Sequence, residues 1–353
     1  DIPRIDYTNG EPSILLEPQR TNLVTYSNEF TNAAWNKTNA TITANQAISP
    51  EGIQNADKYS GTTTGQNLSI SISVSDDFAY FFYVKYINAP FIRLRIDSIS
   101  TWFNIETIEV ATNGFADASI EDVGNGWRKI TVINTTSGSF SQAFIHPHST
   151  DNTTLEQDGG EFFLYGAQIE AGSYATSLIH TSGSAVTRSA DVANNAGNSD
   201  LINSTEGVLY TEIKPVKDTD FELISLNDGT TQNVVTIGTR NNVTELFIGY
   251  RVANSYQALF QPNANHNEFQ KIALSYKANE FKAYINGTQV GIDTFGSVLS
   301  ANTLKHLSFN LDNANALSFA GNLKMVAVFK EALTDLELEK LTGYNNHELY
   351  MNY

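Results

Sequence analysis

The sequence predicts an all-β fold, in which two antiparallel β-sandwich (jelly-roll) domains in tandem are followed by one short C-terminal helix. Three observations predict this class. The chain has 16 Tyr and 20 Phe but only 2 Met, and aromatic side chains suit a half-buried pleated surface. Short segments of this composition alternate with turns rich in Gly, Asn and Asp. A length of 353 residues with 41% hydrophobic residues suffices for about two cores.

Two runs of strand candidates fill most of the chain. The candidates of the first run are Leu68–Val74, Ala79–Ile87, Phe91–Ile96, Trp102–Val110, Arg128–Asn134, Ser141–His146 and Glu161–Glu170. The candidates of the second run are Gly207–Ile213, Phe221–Asn227, Asn233–Thr239, Glu245–Arg251, Tyr256–Gln261, Phe269–Lys277, Glu280–Asn286, His306–Leu311 and Leu323–Phe329. In the second run Asn286-Gly287 predicts a tight hairpin, because both residues tolerate the positive φ of a type I′ turn.

The domain boundaries follow from these runs. Residues 181–205 are small and polar and show no helical or strand period, so we interpret them as a linker. An N-terminal extended segment over 1–22 and a first sandwich over 23–180 are predicted before it, and a second sandwich over 206–353 after it. A helix is predicted over Thr334–Thr342, because Thr334 and Glu337 have the spacing of a capping box and Gly343 follows.

Charge and cysteine content exclude several classes of function. The formal net charge of −17 repels a phosphate backbone and an anionic membrane surface, so we expect no nucleic acid and no membrane insertion. The chain has no Cys, which excludes disulfides, thiolate zinc sites and a cysteine nucleophile. We find no apolar run that could span a bilayer and no signal peptide. Because the first residue is Asp1, we expect a processed or truncated piece of a longer chain.

Two segments at the ends of the first domain resemble signatures of a bacteriophage fibre and tail-spike family. Residues 3–30 read PRIDYTNGEPSILLEPQRTNLVTYSNEF, and residues 165–192 read YGAQIEAGSYATSLIHTSGSAVTRSADV. The segments AAWNK (Ala33–Lys37) and GNGWRKITV (Gly124–Val132) also resemble that family's pattern. The resemblance covers residues 3–192 and implies a jelly-roll module similar to carbohydrate-binding modules.

The second domain resembles the concanavalin A-like, laminin G-like lectin sandwich. The resemblance lies in EGVLYTEIKP (Glu206–Pro215), YKANEFKAYINGTQV (Tyr276–Val290) and LKMVAVFKEALTDLELEKLTGY (Leu323–Tyr344). This pattern resembles that of structural members and lectins as well as enzymes. Calcium often supports such folds through loop carboxylates, and Asp228 is the candidate ligand for a structural calcium, although Asn-Asp-Gly is first of all a turn sequence. We expect no other cofactor.

No predicted strand carries a catalytic pair of carboxylates. Glucanases of the concanavalin A-like fold have acidic residues with the spacing E-x-D-x-x-E on one strand, where alternation places them on one face. Here Glu206, Glu212 and Glu222 are too far apart, and Glu106 and Glu109 differ in parity. The chain also has no G-x-S-x-G elbow and no H-E-x-x-H helix. We therefore expect no catalytic residues and no enzymatic activity.

Alternation predicts one polar and aromatic sheet face in the first domain. Ile92, Leu94 and Ile96 point to one side, and Arg93 and Arg95 to the other. Sugar sites combine an aromatic platform with polar groups that bond hydroxyls. If the strands are neighbours, this face holds the candidate glycan-binding residues Tyr83, Lys85, Arg93, Arg95, Trp102, Asn104, Glu106, Gln142 and His146. Its cationic bias within an acidic chain suggests an acidic polysaccharide.

Two other interpretations of this face stay open. An antiparallel sheet normally solvates one face, where Lys85, Arg93 and Glu106 would form cross-strand ion pairs. In a trimeric fibre the same face would be buried against a neighbouring subunit. His146 and His148 share parity and suggest a metal site, but Pro147 indicates that the strand ends there and no third ligand is evident, so we favour a polar strand end.

Other aromatic residues are assigned either to binding or to packing. Tyr250, Arg251, Tyr256 and His266 cluster near predicted loops of the second domain and are secondary glycan-binding candidates. Trp35 and Trp127 are expected to pack in the core and at the sandwich edge respectively, because Trp is highly buried on average.

These observations predict a non-catalytic structural and receptor-binding component of a bacteriophage fibre or tail. We expect it on the surface of the virion, as a homotrimer in contact with other virion proteins, where it recognises cell-surface or extracellular polysaccharide. The alternative is a pair of carbohydrate-binding modules from a secreted bacterial polysaccharide-degrading enzyme, and a third hypothesis is that the chain itself is a lyase or hydrolase. The segments EPQRTNL and TSGSAVTRSADV favour the first hypothesis over the second.

Overall fold

A computed structural model describes residues 4–7, 10–63, 65–152, 158–216, 221–240, 245–263, 265, 267–311 and 317–343. The chain divides into two compact units, each with its own apolar core. We call Gln19–Ser189 the first sandwich, and Asp1–Pro18 together with Ala190–Tyr353 the second sandwich. The described residues form antiparallel sheets and a single helix of nine residues, so the predicted all-β class is confirmed.

The strands as far as residue 188 are short and lie close together in the sequence. They are β1 (Arg4–Asp6), β2 (Ser13–Leu16), β3 (Arg20–Asn22), β4 (Trp35–Thr38), β5 (Ala40–Ile48), β6 (Gln54–Gly61), β7 (Asn67–Ser75), β8 (Phe78–Tyr86), β9 (Phe91–Ile96), β10 (Ile99–Asn104), β11 (Glu109–Val110), β12 (Asp117–Gly124), β13 (Trp127–Asn134), β14 (Ser139–His148), β15 (Glu161–Ala171) and β16 (Val186–Arg188).

The first sandwich consists of two six-stranded antiparallel sheets. One has the order β11-β10-β9-β14-β7-β4, and we call it the β9 sheet. The other has the order β12-β13-β8-β15-β6-β5, and we call it the β8 sheet. The short strands β16 and β3 pair separately. Consecutive strands such as β8 and β9 therefore belong to different sheets.

The core of the first sandwich lies between these sheets. Leu94 and Ile145 come from the β9 sheet and Val84 and Leu164 from the β8 sheet, and all four are fully buried. Alternation places their sequence neighbours on the outer faces. Trp35 also lies in this core, as predicted, where its Nε1 donates to a backbone carbonyl at 2.8 Å.

The Asn22 side chain connects the beginning and the end of the first sandwich by hydrogen bonds. Its side chain is fully buried, and Nδ2 donates to Ala167 O at 3.1 Å and to Ile179 O at 2.8 Å. Its Oδ1 accepts from the N–H groups of Val24 at 3.0 Å and Ile169 at 3.2 Å. Four bonds from one buried amide therefore satisfy backbone groups of β15 and of the segments around Val24 and Ile179.

Further buried polar side chains continue this connection, which we call the clasp (Asn22, Gln168, Glu170, Thr176 and Thr181). Glu170 accepts from both the N–H and the hydroxyl of Thr176, at 2.5 and 2.7 Å. Thr181 Oγ1 donates to Val24 O at 2.6 Å, and Gln168 Oε1 accepts from Ile179 N at 2.6 Å. The clasp residues lie in segments 3–30 and 165–192, so the polar character of those segments has a structural cause.

The second sandwich contains β1 and β2 and the strands that follow residue 205. These strands are β17 (Glu206–Pro215), β18 (Phe221–Asn227), β19 (Val234–Arg240), β20 (Glu245–Val252), β21 (Ser255–Phe260), β22 (Gln270–Lys277), β23 (Glu280–Ile285), β24 (Thr288–Asp293), β25 (His306–Ser308) and β26 (Gly321–Phe329). A seven-stranded sheet has the order β1-β2-β26-β17-β22-β23-β24, and a five-stranded sheet the order β21-β20-β19-β18-β25.

Two local predictions in the second sandwich are confirmed. Asn286 and Gly287 have φ values of 48° and 81°, as a type I′ turn requires, and they join β23 to β24. Helix α1 (Asp335–Gly343) begins after Thr334, whose N–H donates to Glu337 Oε2 at 2.8 Å. Glu337 N donates back to Thr334 Oγ1 at 3.4 Å, so the capping box is formed.

The structural division differs from the predicted domain boundaries. The chain passes from the second sandwich to the first between Pro18 and Gln19, and back between Ser189 and Ala190, inside the predicted linker 181–205. The predicted N-terminal extended segment 1–22 contributes β1 and β2 to the second sandwich, where Ile14 pairs with Leu323. Strand β1 reads RID and β2 reads SILL, and segments of three or four residues are too short to show a period that sequence reasoning can detect. In the described residues no helix is long and apolar enough to cross a membrane.

Candidate functional site

The predicted glycan-binding residues are divided between the outer faces of two different sheets. Tyr83 and Lys85 lie on β8, whereas Arg93 and Trp102 lie on β9 and β10 of the other sheet. The prediction that all nine residues share one face is therefore wrong. Parity determines whether a side chain points into or out of the sandwich, but it does not determine which sheet a strand joins.

Glu106 is absent from the predicted face for a second reason. It lies in the turn between β10 and β11 and is exposed, not on a strand. Asn104 Oδ1 accepts from the N–H groups of Glu106 at 3.1 Å and Thr107 at 3.0 Å, so the Asn104 side chain stabilises this turn. An Asn at the start of a turn commonly bonds the backbone in this way.

The β9 sheet brings the remaining candidates together on its outer face, which we call the β9 face. Across the strands, Arg93 pairs with Trp102 on one side and with His146 on the other. Arg95 pairs with Phe144 in the same way. Directly opposite side chains on an antiparallel pair have Cβ atoms about 4.5–5.5 Å apart. The register therefore explains why these residues are in contact.

Cation–π contacts organise the β9 face. The Arg93 guanidinium lies 4.8 Å from the Trp102 ring centroid, and its Nε and Nη2 donate to Ser100 Oγ at 3.0 and 2.9 Å. The Arg95 guanidinium lies 3.8 Å from the centroid of the Phe144 ring. Arginine often stacks on aromatic rings and retains its in-plane N–H donors when it does so.

Aromatic rings continue along β14. The rings of Phe144 and His146 are stacked with centroids 5.8 Å apart, and those of His146 and His148 are 6.2 Å apart. Strand β14 runs to His148, so the expectation that Pro147 ends it is wrong. The pairing of β14 with β7 stops at Ile145, and a proline is tolerated where one side of a strand has no ladder.

The aromatic rings of the β9 face differ in accessibility. Trp102 is 8% exposed, His146 is 4% exposed and His148 is fully buried. Arg95 and Phe144 are half-buried, and Gln142 is exposed. The accessible side chains of this face are therefore Gln142 and the half-buried Arg93, Arg95 and Phe144, whereas Trp102 and the histidines are buried. Phe144 was missed as a candidate, although the alternation that selected Gln142 and His146 places it between them.

The remaining candidates in the first sandwich occupy the outer face of the β8 sheet. Lys85 Nζ donates to Asn125 O at 2.8 Å. The Tyr83 ring lies 6.2 Å from that of Tyr165, in a satellite cluster that contains Trp127. Trp127 is 1% exposed, so its predicted packing role is confirmed.

The secondary candidates of the second sandwich do not form one site. Tyr250 is fully buried, and its hydroxyl donates to Ser204 O and accepts from Leu299 N, both at 2.9 Å, so its assignment as a surface ligand contact is wrong. Tyr250 shares the inward parity of Ile248, which is the signal that identifies it as core. Burial raises the pKa of Tyr250 to about 12.

Arg251 and Tyr256 lie together at the surface of the second sandwich. The guanidinium is 5.4 Å from the ring centroid, and Tyr256 is half-exposed. His266 lies outside the described residues. Of the secondary candidates, Arg251 and Tyr256 therefore form one surface pair, which consists of an aromatic ring and a cation.

The carboxylate of Asp228 accepts hydrogen bonds within its own turn. Its Oδ1 accepts from Thr230 N at 2.9 Å and from Thr230 Oγ1 at 2.6 Å, and its Oδ2 accepts from Asn233 Nδ2 at 2.7 Å. Burial opposes ionisation, but these hydrogen bonds outweigh it and lower the pKa of Asp228. The described part of the chain holds no group of three or more His, Cys, Asp or Glu that could bind a metal ion.

Comparison with known proteins supports the predicted resemblance of the second domain. Residues 209–339 match the family model of the concanavalin A-like lectin/glucanases superfamily. The match covers most of the strands of the second sandwich and its helix. No curated protein matches the chain in sequence. The resemblance of residues 3–192 to a phage fibre family remains a prediction from the sequence.

Several solved structures are similar to parts of this chain. A heptameric SAP-like pentraxin from Limulus polyphemus has 14% identity and a TM-score of 0.36, with 42% of this chain and 74% of that chain covered. The CBM40 of Ruminococcus gnavus IT-sialidase, bound to α2,3-sialyllactose, has 13% identity and a TM-score of 0.35, with 43% and 95% covered. A tail fiber protein from an E. coli phage has 9% identity and a TM-score of 0.24, with 86% and 40% covered.

Proposed function

We propose that this chain is a non-catalytic, glycan-recognising component of a bacteriophage fibre or tail, and that it binds polysaccharide at the accessible end of the β9 face. The contact residues are Arg95, Gln142 and Phe144. The observation that carries the proposal is the stacking of the Arg95 guanidinium on the half-buried Phe144 ring, beside an exposed Gln142.

This end of the face combines the groups that sugar recognition needs. The Arg95 guanidinium plane, which covers one face of the half-buried Phe144 ring, offers a flat surface to the apolar side of a pyranose. The guanidinium N–H groups and the Gln142 amide can bond hydroxyl or carboxylate oxygens. Arg95 and Phe144 are already stacked on each other, so few of their rotamers have to be ordered on binding, which lowers its entropic cost.

The acidic residues support a non-catalytic role. The spacing E-x-D-x-x-E occurs once in the sequence, at 156–161, and its first residue lies outside the described residues. Asp158 lies in a turn before β15, whereas Glu161 is the first residue of that strand and pairs with Lys58 Nζ at 2.7 Å. Alternation along a strand therefore does not align Asp158 with Glu161. The matched superfamily includes both lectins and glucanases, so the fold by itself does not decide the question.

The assignment to a fibre or tail rests on the sequence segments 3–30 and 165–192. They resemble signatures of phage fibre proteins, and a clasp of buried polar side chains connects them in the first sandwich. A virion component and a homotrimer are the corresponding expectations for location and assembly. Secreted carbohydrate-binding modules would instead be monomers, which makes the mass in solution informative.

A panel of bacterial polysaccharides tests the proposal. Immobilised glycans are incubated with the wild-type chain, with Arg95→Gln and with Phe144→Ala, and bound protein is measured. We expect the wild type to bind at least one glycan and both variants to lose most of that binding. Release of reducing ends or unsaturated products from any panel member would contradict the non-catalytic role. A monomer by light scattering would contradict the trimer.

A further inference from the structure

The outer face of the β8 sheet, opposite the β9 face within the first sandwich, carries a second row of aromatic and cationic side chains. Strand pairing places Trp127 opposite Lys85, Lys85 opposite Phe163, and Phe163 opposite Lys58. Their inward neighbours Val84, Phe162 and Leu164 lie in the core, so these four side chains face outward. We call Lys58, Lys85 and Phe163 the Phe163 row.

The Phe163 row is accessible, whereas several side chains of the β9 face are buried. Phe163 and Lys85 are half-buried, and the Lys58 side chain is 30% exposed. Trp127 is buried beside Lys85, and its Nε1 donates to Ile48 O at 2.9 Å. Trp127 therefore closes one end of the row, and the half-buried Phe163 ring lies between the two lysines.

The turn before β13 positions Lys85. Gly124, Asn125 and Gly126 have φ values of 87°, 53° and 79°, all in the left-handed region that favours glycine. A Cβ at Gly126 would lie 3.3 Å from the Lys85 side chain. The turn presents Asn125 O, which accepts from Lys85 Nζ at 2.8 Å. An ammonium has three N–H donors, so two remain for another oxygen ligand.

The two lysines differ in charge compensation. Lys58 Nζ lies 2.7 Å from Glu161, and hydrogen bonds from Lys58 and Ser60 lower the pKa of that carboxyl. The polar partner of Lys85 is a neutral carbonyl. The Phe163 row therefore keeps one net positive charge on a chain of net charge −17.

From this arrangement we infer that the Phe163 row is a second saccharide-binding site, which takes a sugar bearing a carboxylate. The apolar side of the sugar ring packs on Phe163, and its carboxylate accepts from Lys85 Nζ. Cross-strand neighbours have Cβ atoms about 5 Å apart, so a single ring contacts both side chains. This site is separate from the β9 face and does not depend on it.

The binding of uronate polysaccharides tests the inference. Isothermal titration calorimetry measures the affinity of the full chain for polygalacturonate, alginate and hyaluronan, and methyl-esterified polygalacturonate provides the same backbone without charge. Phe163→Ala and Lys85→Gln should each weaken binding of at least one uronate polymer by about tenfold, the effect of losing one stacking or charged contact. Lys85→Arg should retain it, and the methyl ester should bind more weakly than the acid.

Two matched variants define the controls. Lys129→Gln removes a cation that lies 4.4 Å over the Phe81 ring on the same sheet face but outside the row, and it should leave the affinity unchanged. Arg95→Gln alters the β9 face instead. If Arg95→Gln abolishes binding while Phe163→Ala and Lys85→Gln do not, the proposed function stands and the second site is overturned.

Three further results would overturn the second site. Wild-type protein that binds none of the three uronate polymers would exclude it. Poly-glutamate that binds as tightly as the uronates would show attraction of charge without recognition of sugar. Equal affinity of wild type, Phe163→Ala and Lys85→Gln for the polymer that binds would show that the contact lies elsewhere.

Discussion

Arg95 and Phe144 are cross-strand neighbours, and the guanidinium of Arg95 lies 3.8 Å from the centroid of the Phe144 ring. On the same sheet Arg93 stacks on Trp102 at 4.8 Å, but Trp102 is buried. The two pairs have the same chemistry and different accessibility. The proposed binding surface therefore lies at the Arg95 end, where the aromatic ring is the more accessible of the two.

Replacing Tyr80 by Phe is expected to stabilise the first sandwich. The Tyr80 hydroxyl is fully buried in the core, where the described contacts include no hydrogen-bond partner for it, and burial raises the pKa of Tyr80. Removing an unsatisfied buried hydroxyl should raise the free energy of unfolding by up to about 1 kcal/mol. All three Trp residues lie in the first sandwich, so the urea transition followed by Trp fluorescence reports this change.

Tyr250→Phe is the matched control for Tyr80→Phe. It removes a buried hydroxyl that makes two hydrogen bonds in the second sandwich. Its loss should cost about 1–3 kcal/mol, detected by circular dichroism, and should leave the Trp fluorescence transition in place. If Tyr80→Phe destabilises as strongly as Tyr250→Phe, the Tyr80 hydroxyl has a partner and the prediction is wrong.

Asn22→Ala is expected to break the clasp of the first sandwich. The substitution leaves the carbonyls of Ala167 and Ile179 and the N–H groups of Val24 and Ile169 without their partner. We expect the free energy of unfolding to fall by about 3 kcal/mol, again measured by Trp fluorescence.

Thr21→Ala is the control for Asn22→Ala. It removes one hydroxyl bond of 2.8 Å, to Thr187 at the surface, and should cost about 0.5 kcal/mol or less. Similar losses in the two variants would show that the clasp is not the main constraint on the ends of this sandwich.

Glu170→Gln is expected to change how the stability of the first sandwich depends on pH. Burial raises the pKa of Glu170, and hydrogen bonds from Thr176 only partly offset this effect. A raised folded-state pKa means that the folded protein binds the proton more tightly. The contribution of Glu170 is thus fully present below its unfolded pKa and is lost as pH rises through the folded pKa.

The measurement for Glu170 compares urea midpoints of wild type and Glu170→Gln across this range. The advantage of wild type over the variant should be largest at acid pH and should shrink towards neutral pH. An advantage that grows with pH would mean that the ionised carboxylate is the favoured buried form.

The helix cap gives the opposite pH dependence in the second sandwich. Hydrogen bonds from Thr334 lower the pKa of Glu337, so its stabilising contribution is present above the unfolded pKa and is lost as pH falls through the folded pKa. Thr334→Ala should cost about 1 kcal/mol at neutral pH by circular dichroism and should weaken this dependence, because the hydroxyl bond is lost while the backbone N–H at position 334 still donates to Glu337. Glu339→Gln, on the same helix, is the control; an equal effect there would contradict a specific role of the cap.

Sequence reasoning succeeded where a residue's role depends on its neighbours in the chain. Alternation placed Leu94 in the core and Arg95 on the surface. The Asn286-Gly287 turn and the Thr334 cap follow from the conformational and hydrogen-bonding preferences of those residues themselves. The same alternation would have identified Tyr250 as inward-facing. These features depend on local stereochemistry, which the sequence contains.

Sequence reasoning failed where a residue's position depends on which strands pair over long distances in the chain. Tyr83 and Arg93 have outward parity but belong to different sheets, because the chain crosses the sandwich between β8 and β9. The burial of Trp102 likewise depends on packing that no local pattern contains. Strand β2 pairs with β26 across more than three hundred residues of chain and carries β1 with it into the second sandwich, which the composition of these segments does not indicate.

The affinity of Arg95→Gln for the polysaccharide that the wild type binds tests glycan recognition by the β9 face most directly. Lys129→Gln, which removes the same charge from the other sheet, provides the comparison. We predict that the dissociation constant rises by about tenfold or more in Arg95→Gln and by less than about twofold in Lys129→Gln. Equal dissociation constants for wild type and Arg95→Gln, with the Trp fluorescence transition unchanged, would contradict the account.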